Sequence, residues 1–192
     1  PPMDEKTALT RLKQGDIGAL EYLMELYYTQ AVRTAFLIVR DESLAEDITQ
    51  GAFIRVFERA GQYDVNRPFK FWFSRIIVND AILAARRRER TVSLEQLSAN
   101  SDDPLAEYLG NLTDPNQLSP EIIFEKAETN QEIWQVLSQL NPEQRAVIVL
   151  RYYLGFSETQ IAEHQASPPG TIKWRLHSAR KRLRSLIGPE NL

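Results

Sequence analysis

Residues 157–186 read SETQIAEHQASPPGTIKWRLHSARKRLRSL, and what this stretch folds into decides the architecture around it. Ser157, followed three residues later by Gln160, makes a capping box that starts a short helix through Ile161 and Ala162. The next residues, HQASPPG, turn the chain, and Ser167 with Pro168 is placed to cap a second, longer helix. Between residues 167 and 186 there are six Lys or Arg and no Asp or Glu. A short helix, a tight turn and a longer cationic helix have the layout of a helix-turn-helix, whose second helix enters the DNA major groove. Helical spacing turns Ile172, Leu176 and Leu183 inward. Thr171, Lys173, Trp174, His177 and Ser178 are then the groove-reading candidates, while Arg175, Arg180, Lys181, Arg182 and Arg184 reach phosphates on the flanks.

The positive helix belongs to a chain of 192 residues with a formal net charge of -3. Charge is strongly segregated: residues 1–65 carry -4, 66–91 carry +5, 92–143 carry -9 and 144–192 carry +5. Two basic segments separated by an acidic one suggest a polyanion touched at two places, whereas either segment alone would pass for a solvated helix face. Apolar residues make up 43% of the chain, ordinary for a water-soluble protein, and no apolar run approaches the roughly 18 residues of a membrane span. The N-terminus lacks the layout of a signal peptide, and Pro1-Pro2 before Met3 reads as an added remnant. Cysteine is absent, which removes disulfides, a thiol nucleophile and thiolate zinc sites and points to a reducing cytoplasm. The only two histidines, His164 and His177, both fall in the helix-turn-helix. With no glycine-rich phosphate loop and no metal-ligand cluster, the expectation is a protein without catalysis, cofactor or metal.

Working outward, the remaining periodicity is helical and no period-two strand pattern occurs. Leu20, Leu23, Met24, Tyr27 and Ala31 line one helix face. The tetrad SLAE puts Ser43 three residues before Glu46, predicting a capping box for a helix with apolar side Leu44, Ile48, Ala52 and Val56. Its other side shows Glu46, Asp47 and Gln50. After Pro68 a third helix runs through FKFWFSRIIVNDAILAARRRER into the first basic patch, Arg86, Arg87, Arg88 and Arg90. From Thr91 to Glu125 there are seven carboxylates and no Lys or Arg, with Pro and Asn clustered in NLTDPNQLSPE, which reads as a linker. Helix signals resume at Ser119-Pro120, followed by the stripe Ile123, Ala127, Trp134, Leu137. Asn141-Pro142 then opens a helix that Gly155 is placed to stop. The expected fold is all-α: two small helical domains, residues 1–91 and 120–192, joined by a flexible acidic linker over 92–119, the second domain being the helix-turn-helix.

The segment LNPEQRAVIVLRYYLGFSETQIAEHQASPPGTIKWRLHSARKRLRSL resembles the promoter-binding C-terminal domain of bacterial RNA polymerase sigma factors of the extracytoplasmic-function (ECF) class. AEDITQGAFIRVF and FKFWFSRIIVNDAILAARRRER resemble the N-terminal domain of the same class, in the same order and at the expected separation. The resemblance implies a protein that binds core RNA polymerase, directs it to promoter DNA and helps open the duplex. It implies that Glu46, Asp47 and Gln50 lie on the clamp helices of the largest polymerase subunit. It also implies that Asn79 hydrogen-bonds a flipped, single-stranded base of the minus-ten element, with Tyr63 and Ile76 as its apolar wall. Trp72 is expected in the core. An unstacked base needs both kinds of partner, and a helix-end cap is the plainer role for Asn79. Arg86, Arg87, Arg88 and Arg90 would hold backbone phosphate, and the C-terminal helix-turn-helix would bind the minus-thirty-five element. The class is commonly held inactive by an anti-sigma protein, which the resemblance makes a partner here. The corresponding linker threads the polymerase cleft in the family, so Asp102, Asp103, Glu107 and Asp114 are expected against basic walls there.

Three departures from the family pattern bear on these implications. Gly51 stands where Glu often follows the Gln, at a helix-propensity cost of about 1 kcal/mol. HQASPPG replaces a common ILGVPVG, so Gln165 and Ala166 take the places of Leu and Gly and a less tight turn is expected. Trp174 and Ser178 replace a small residue and a frequent Arg on the reading face. The competing function is a conventional helix-turn-helix regulator acting on duplex DNA without polymerase, which leaves Asp47 and Asn79 unexplained.

Overall fold

The computed structural model describes residues 3–64, 66–96 and 137–187, and every regular element among them is helical. The chain divides into two compact units, one up to Ala81 and one from Ile82 onward. The division falls inside a single long helix.

In the first unit, α1 (Glu5–Leu12) is capped by Asp4, whose side chain accepts from the Thr7 amide at 2.7 Å. Hydrogen bonds from Thr7, its side chain first and then its amide, hold the Asp4 carboxyl below its usual range. α2 (Ile17–Val39) starts at Asp16 and ends where Arg40 takes the left-handed conformation at φ 59°. Asp41 follows in extended backbone and accepts from the Leu44 amide at 3.0 Å, so α3 (Glu42–Glu58) begins at Glu42. The expected Ser43 box is therefore not the cap: the left-handed turn at Arg40 brings the chain into helix earlier, where Asp41 serves as well as Ser. A two-residue connection makes α2 and α3 a packed helical hairpin. A short 3₁₀ turn (Ala60–Gln62) leads toward α4 (Phe69–Gln96).

Aromatic rings dominate this unit's core. Phe53 and Phe73 approach to 4.7 Å, Phe69 stacks on Phe73 at 5.4 Å, and Tyr27 meets Phe69 edge-on at 5.2 Å. Such pairs contribute about 0.5–1.5 kcal/mol each beyond area burial. Of the expected α2 stripe, Leu23 and Ala31 are fully packed, while Leu20, Met24 and Tyr27 are half-buried. The Tyr27 hydroxyl donates to Glu5 at 2.7 Å, holding α1 on α2; burial first, then the neighbouring carboxylate, pushes this phenol far above its ordinary value. On α3, Ile48, Ala52 and Val56 are buried as expected and Leu44 is half-buried.

In the second unit, α5 (Pro142–Ile148) opens on a capping box in which Asn141 and Gln144 serve each other's backbone amides. It continues as a π-helical turn (Val149–Tyr153), and Gly155 at φ 77° ends it. Ser157 and Gln160 form the expected box for α6 (Glu158–His164), and α7 (Pro169–Ile187) follows. Leu150, Ile161, Ile172, Leu176 and Ala179 are essentially inaccessible. His164 is also buried, its ring 5.7 Å from that of Phe156. Arg145 is 1% exposed, yet its guanidinium donates to the Leu140 carbonyl at 2.7 Å and pairs with Glu89, the kind of satisfaction a buried cation requires.

Two boundaries differ from expectation. α4 runs on to Gln96, five residues past Thr91, because no Gly or Pro interrupts TVSLEQ. Ser167 does not cap α7: its hydroxyl donates to the Gln165 carbonyl at 3.2 Å, and the Pro168 carbonyl takes the first amides of the helix. The Ser119-Pro120 signal, the residues from Ile123 to Trp134 and the acidic residues from Asp102 to Asp114 lie outside the described residues. No helix among the described residues is long and apolar enough to cross a membrane.

Candidate polymerase and nucleic-acid interfaces

α3 buries Ala45, Ile48, Thr49, Ala52, Phe53 and Val56. The opposite side is left to solvent, and Glu46, Asp47 and Gln50 are all exposed on it. One turn further, Ile54 is 58% exposed. Asp47, Gln50 and Ile54 stand at i, i+3 and i+7, a single stripe that begins acidic and ends apolar. The reading from sequence missed Ile54, because an isoleucine in AFIRVF looks like core until the neighbouring face is known to be full. Gly51 borders the stripe, and a Cβ there would meet nothing nearer than Arg55 Nη2 at 3.8 Å.

α4 buries Phe69, Phe73, Ile77, Val78 and Ala81, which turns Asn79 outward to solvent and leaves Ile76 and Trp72 half-buried. Trp72, Ile76 and Asn79 recur at four- and three-residue steps, so an amide stands at the end of an apolar strip on one side of the helix. Asn79 lies in mid-helix and is not an end cap. Tyr63 does not line this strip. It is 4% exposed, its ring lies 5.8 Å from Phe69 and 5.2 Å from Trp72, and its hydroxyl donates to the Arg67 carbonyl. Burial pushes the Tyr63 phenol up. A tyrosine followed by a polar loop reads from sequence as exposed; the loop instead folds back to satisfy its hydroxyl.

Beside Asn79, Asp80 points toward α3. Arg55 Nη1 donates to Asp80 Oδ1 at 3.0 Å, Nη2 donates to Oδ2, and Nε donates to the Gly51 carbonyl at 3.2 Å. No periodicity argument joins these two residues.

The basic stretch at Arg86, Arg87, Arg88 and Arg90 is exposed. Arg86 is engaged by Glu143 within the second unit.

On α7 the inward set is Ile172, Leu176 and Ala179, with Leu183 half-buried. Lys173, Trp174 and His177 face solvent together, and the Trp174 indole is 65% exposed. Thr171 is half-buried. Ser178 is half-buried too, and its hydroxyl accepts from Gln144 Nε2 at 3.0 Å, so it turns partly toward α5 and away from the reading face. Among the phosphate candidates, Lys181 and Arg182 are exposed, with Arg182 Nη2 3.4 Å from Gln139 Oε1. Arg175 and Arg180 are half-buried, and Arg180 lies 3.9 Å from Glu158. The Arg184 side chain lies outside the described residues.

The turn before α7 is as tight as a glycine would make it. Ala166 adopts φ 46°, its amide donates to the Glu163 carbonyl at 3.2 Å, and the Ser167 amide donates to the Ala162 carbonyl at 3.0 Å. This is a complete Schellman closure of α6. The loosened turn expected from the missing glycine does not occur; Ala166 takes the left-handed conformation at a steric cost of about 1–2 kcal/mol.

Two family models match the chain. The model described as Sigma-70 region 2 matches residues 23–91, and that described as Sigma-70, region 4 matches residues 130–183. The chain is similar to the ECF RNA polymerase sigma factor SigW of Bacillus subtilis, 30% identical over 182 residues that cover 95% of this chain and 96% of SigW. Two solved structures share the fold. CnrH, in complex with the cytosolic domain of CnrY, matches with TM-score 0.64 at 18% identity, covering 95% of this chain and 96% of its own. The sigma factor RpoE of Bartonella quintana, in complex with the anti-sigma factor NepR, matches with TM-score 0.62 at 23% identity, covering 87% and 95%.

Proposed function

The chain belongs to the ECF RNA polymerase sigma factors, and from that premise we propose how its surfaces divide the work of directing RNA polymerase to promoters. The domains run over residues 1–91 and 120–192, with residues 92–119 as linker, into whose first residues α4 continues as far as Gln96. Glu46, Asp47 and Gln50 on α3 dock on the clamp helices of core polymerase. Asn79 captures an unpaired base of the minus-ten element, with Ile76 and Trp72 as the apolar side of its site. Arg86, Arg87, Arg88 and Arg90 hold the phosphates beside it, Arg86 after release from Glu143. Lys173, Trp174 and His177 on α7 read the minus-thirty-five element in the major groove, flanked by Thr171 and Ser178. Arg175, Arg180, Lys181, Arg182 and Arg184 hold its backbone. The acidic linker residues Asp102, Asp103, Glu107 and Asp114 face the polymerase cleft.

The observation that supports this reading best is the exposure of Asp47, Asn79 and Trp174, three chemically different side chains, on helices whose other faces are full. Sigma factors are initiation factors without catalysis of their own, and we read this chain as performing no chemistry in the cytoplasm. The partner in the RpoE–NepR structure supports an anti-sigma protein as the regulator here. Run-off transcription with purified core polymerase on a promoter library tests the reading: promoter-selective transcripts that require the chain are expected. Selective binding to duplex promoter without polymerase, and no stimulated transcription, would favour a conventional helix-turn-helix regulator.

A further inference from the structure

Arg55 and Asp80 are 25 residues apart in sequence and join α3 to α4 through a two-pronged pair, with the third donor of the same guanidinium on the Gly51 carbonyl. Their side chains are 33% and 26% exposed. An ion pair that open to water adds little to stability, so stability alone is a weak reason for building it. Its geometry offers a better one.

Hydrophobic packing holds α4 against the first unit through Phe69, Phe73, Ile77 and Ala81, and such packing is non-directional. It resists separation of the helices better than a small roll of one about its axis. A planar fork gripping both oxygens of a carboxylate does resist rolling, because both donor-acceptor lines must be kept at once. Asp80 follows Asn79 directly, about 100° around the helix. Clamping Asp80 to α3 therefore fixes the direction in which the Asn79 amide points. The other end of the clamp is on the helix that carries Asp47 and Gln50, and its Nε contact lies at Gly51, the residue after Gln50.

We propose that Arg55 and Asp80 are positioning residues for promoter opening: the pair holds the Asn79-bearing turn of α4 in register with the polymerase-facing helix. This rests on the reading of Asn79 as a base-capturing residue. Neither Arg55 nor Asp80 touches DNA in this proposal; each acts through Asn79.

The test uses the full-length chain with core polymerase on a promoter carrying 2-aminopurine at the base captured in the minus-ten element, whose fluorescence rises on unstacking. Asp80→Asn keeps the shape and removes the charge; Arg55→Lys keeps the charge and removes the fork; Arg55→Asp with Asp80→Arg reverses the pair. Core binding, promoter retention and thermal midpoint are measured alongside. Both single variants are expected to lower the rate of base unstacking by about tenfold, as for loss of one charge-assisted contact. Core affinity should change less than about twofold, and the reversed pair should recover most of the rate. Asn79→Ala serves as the reference. If it is defective while Asp80→Asn opens normally, the positioning role is overturned and base capture stands. If Asn79→Ala itself opens normally, the Asn79 reading fails and this one with it. If the single variants lose opening only in proportion to a lowered thermal midpoint, and the reversed pair does not recover it, the pair is structural and the proposal is rejected.

Discussion

The Ser167 amide donates to the Ala162 carbonyl at 3.0 Å, closing the last turn of α6 around Ala166 in left-handed backbone. Relief of the Cβ clash in Ala166→Gly should exceed the added chain entropy of glycine when unfolded. The variant is expected to raise the stability of the helix-turn-helix by about 0.5–1 kcal/mol, read from urea denaturation. A β-branched replacement, Ala166→Val, should lower it by more than Ala166→Gly raises it. Equal stability of all three would mean that the turn relaxes in solution.

Gly51 lies inside α3 with nothing but the end of Arg55 near its missing Cβ, at 3.8 Å. Gly51→Ala should therefore stabilise the first unit by about 1 kcal/mol through helix propensity, with core-polymerase affinity nearly unchanged. A destabilised variant would show that α3 needs its local flexibility.

Asp47 is exposed beside a packed face, so reversing its charge removes no internal contact. Asp47→Arg is expected to leave the thermal midpoint within the scatter of surface substitutions, about 0.5 kcal/mol. It should weaken core binding at least tenfold, or about 1.4 kcal/mol. Unchanged affinity in a pull-down titration would remove Asp47 from the interface.

On α7, replacing Lys173 and Trp174 should change which bases of the upstream element are tolerated. Replacing Arg182 should instead weaken binding to all sequences alike and reduce the salt slope by about one. Binding isotherms on a set of point-substituted promoters at several salt concentrations separate the two; identical behaviour would place both sets on the same face.

These contrasts also mark what could be read from the chain alone. The Ser157–Gln160 box, the stop at Gly155 and the start at Asn141 are local chemistry, decided by residues within one helical turn, and all three lie where expected. The inward set Ile172 and Leu176 follows from period alone. What escaped depends on partners distant in sequence. Tyr63 is hidden because Phe69 and Trp72 close over it. Ile54 is exposed because its neighbours Phe53 and Val56 already occupy the buried side. Asp41 displaced Ser43 as a cap because the preceding residue, Arg40, turned left-handed. Arg55 with Asp80, and the buried Arg145 with Glu89, are pairings between helices to which no single-helix pattern points.

The exposed indole of Trp174 also gives the protein an optical handle without labelling. Its ring, 65% open to water, should emit toward the red and be readily quenched by acrylamide, while the half-buried Trp72 is more shielded. Seating α7 in a groove would exclude the quencher from Trp174 and quench or shift its emission by stacking against bases. Upstream-element docking could then be followed in stopped flow on an unlabelled chain in which Trp72 and Trp134 are replaced by Phe, so that Trp174 alone reports it.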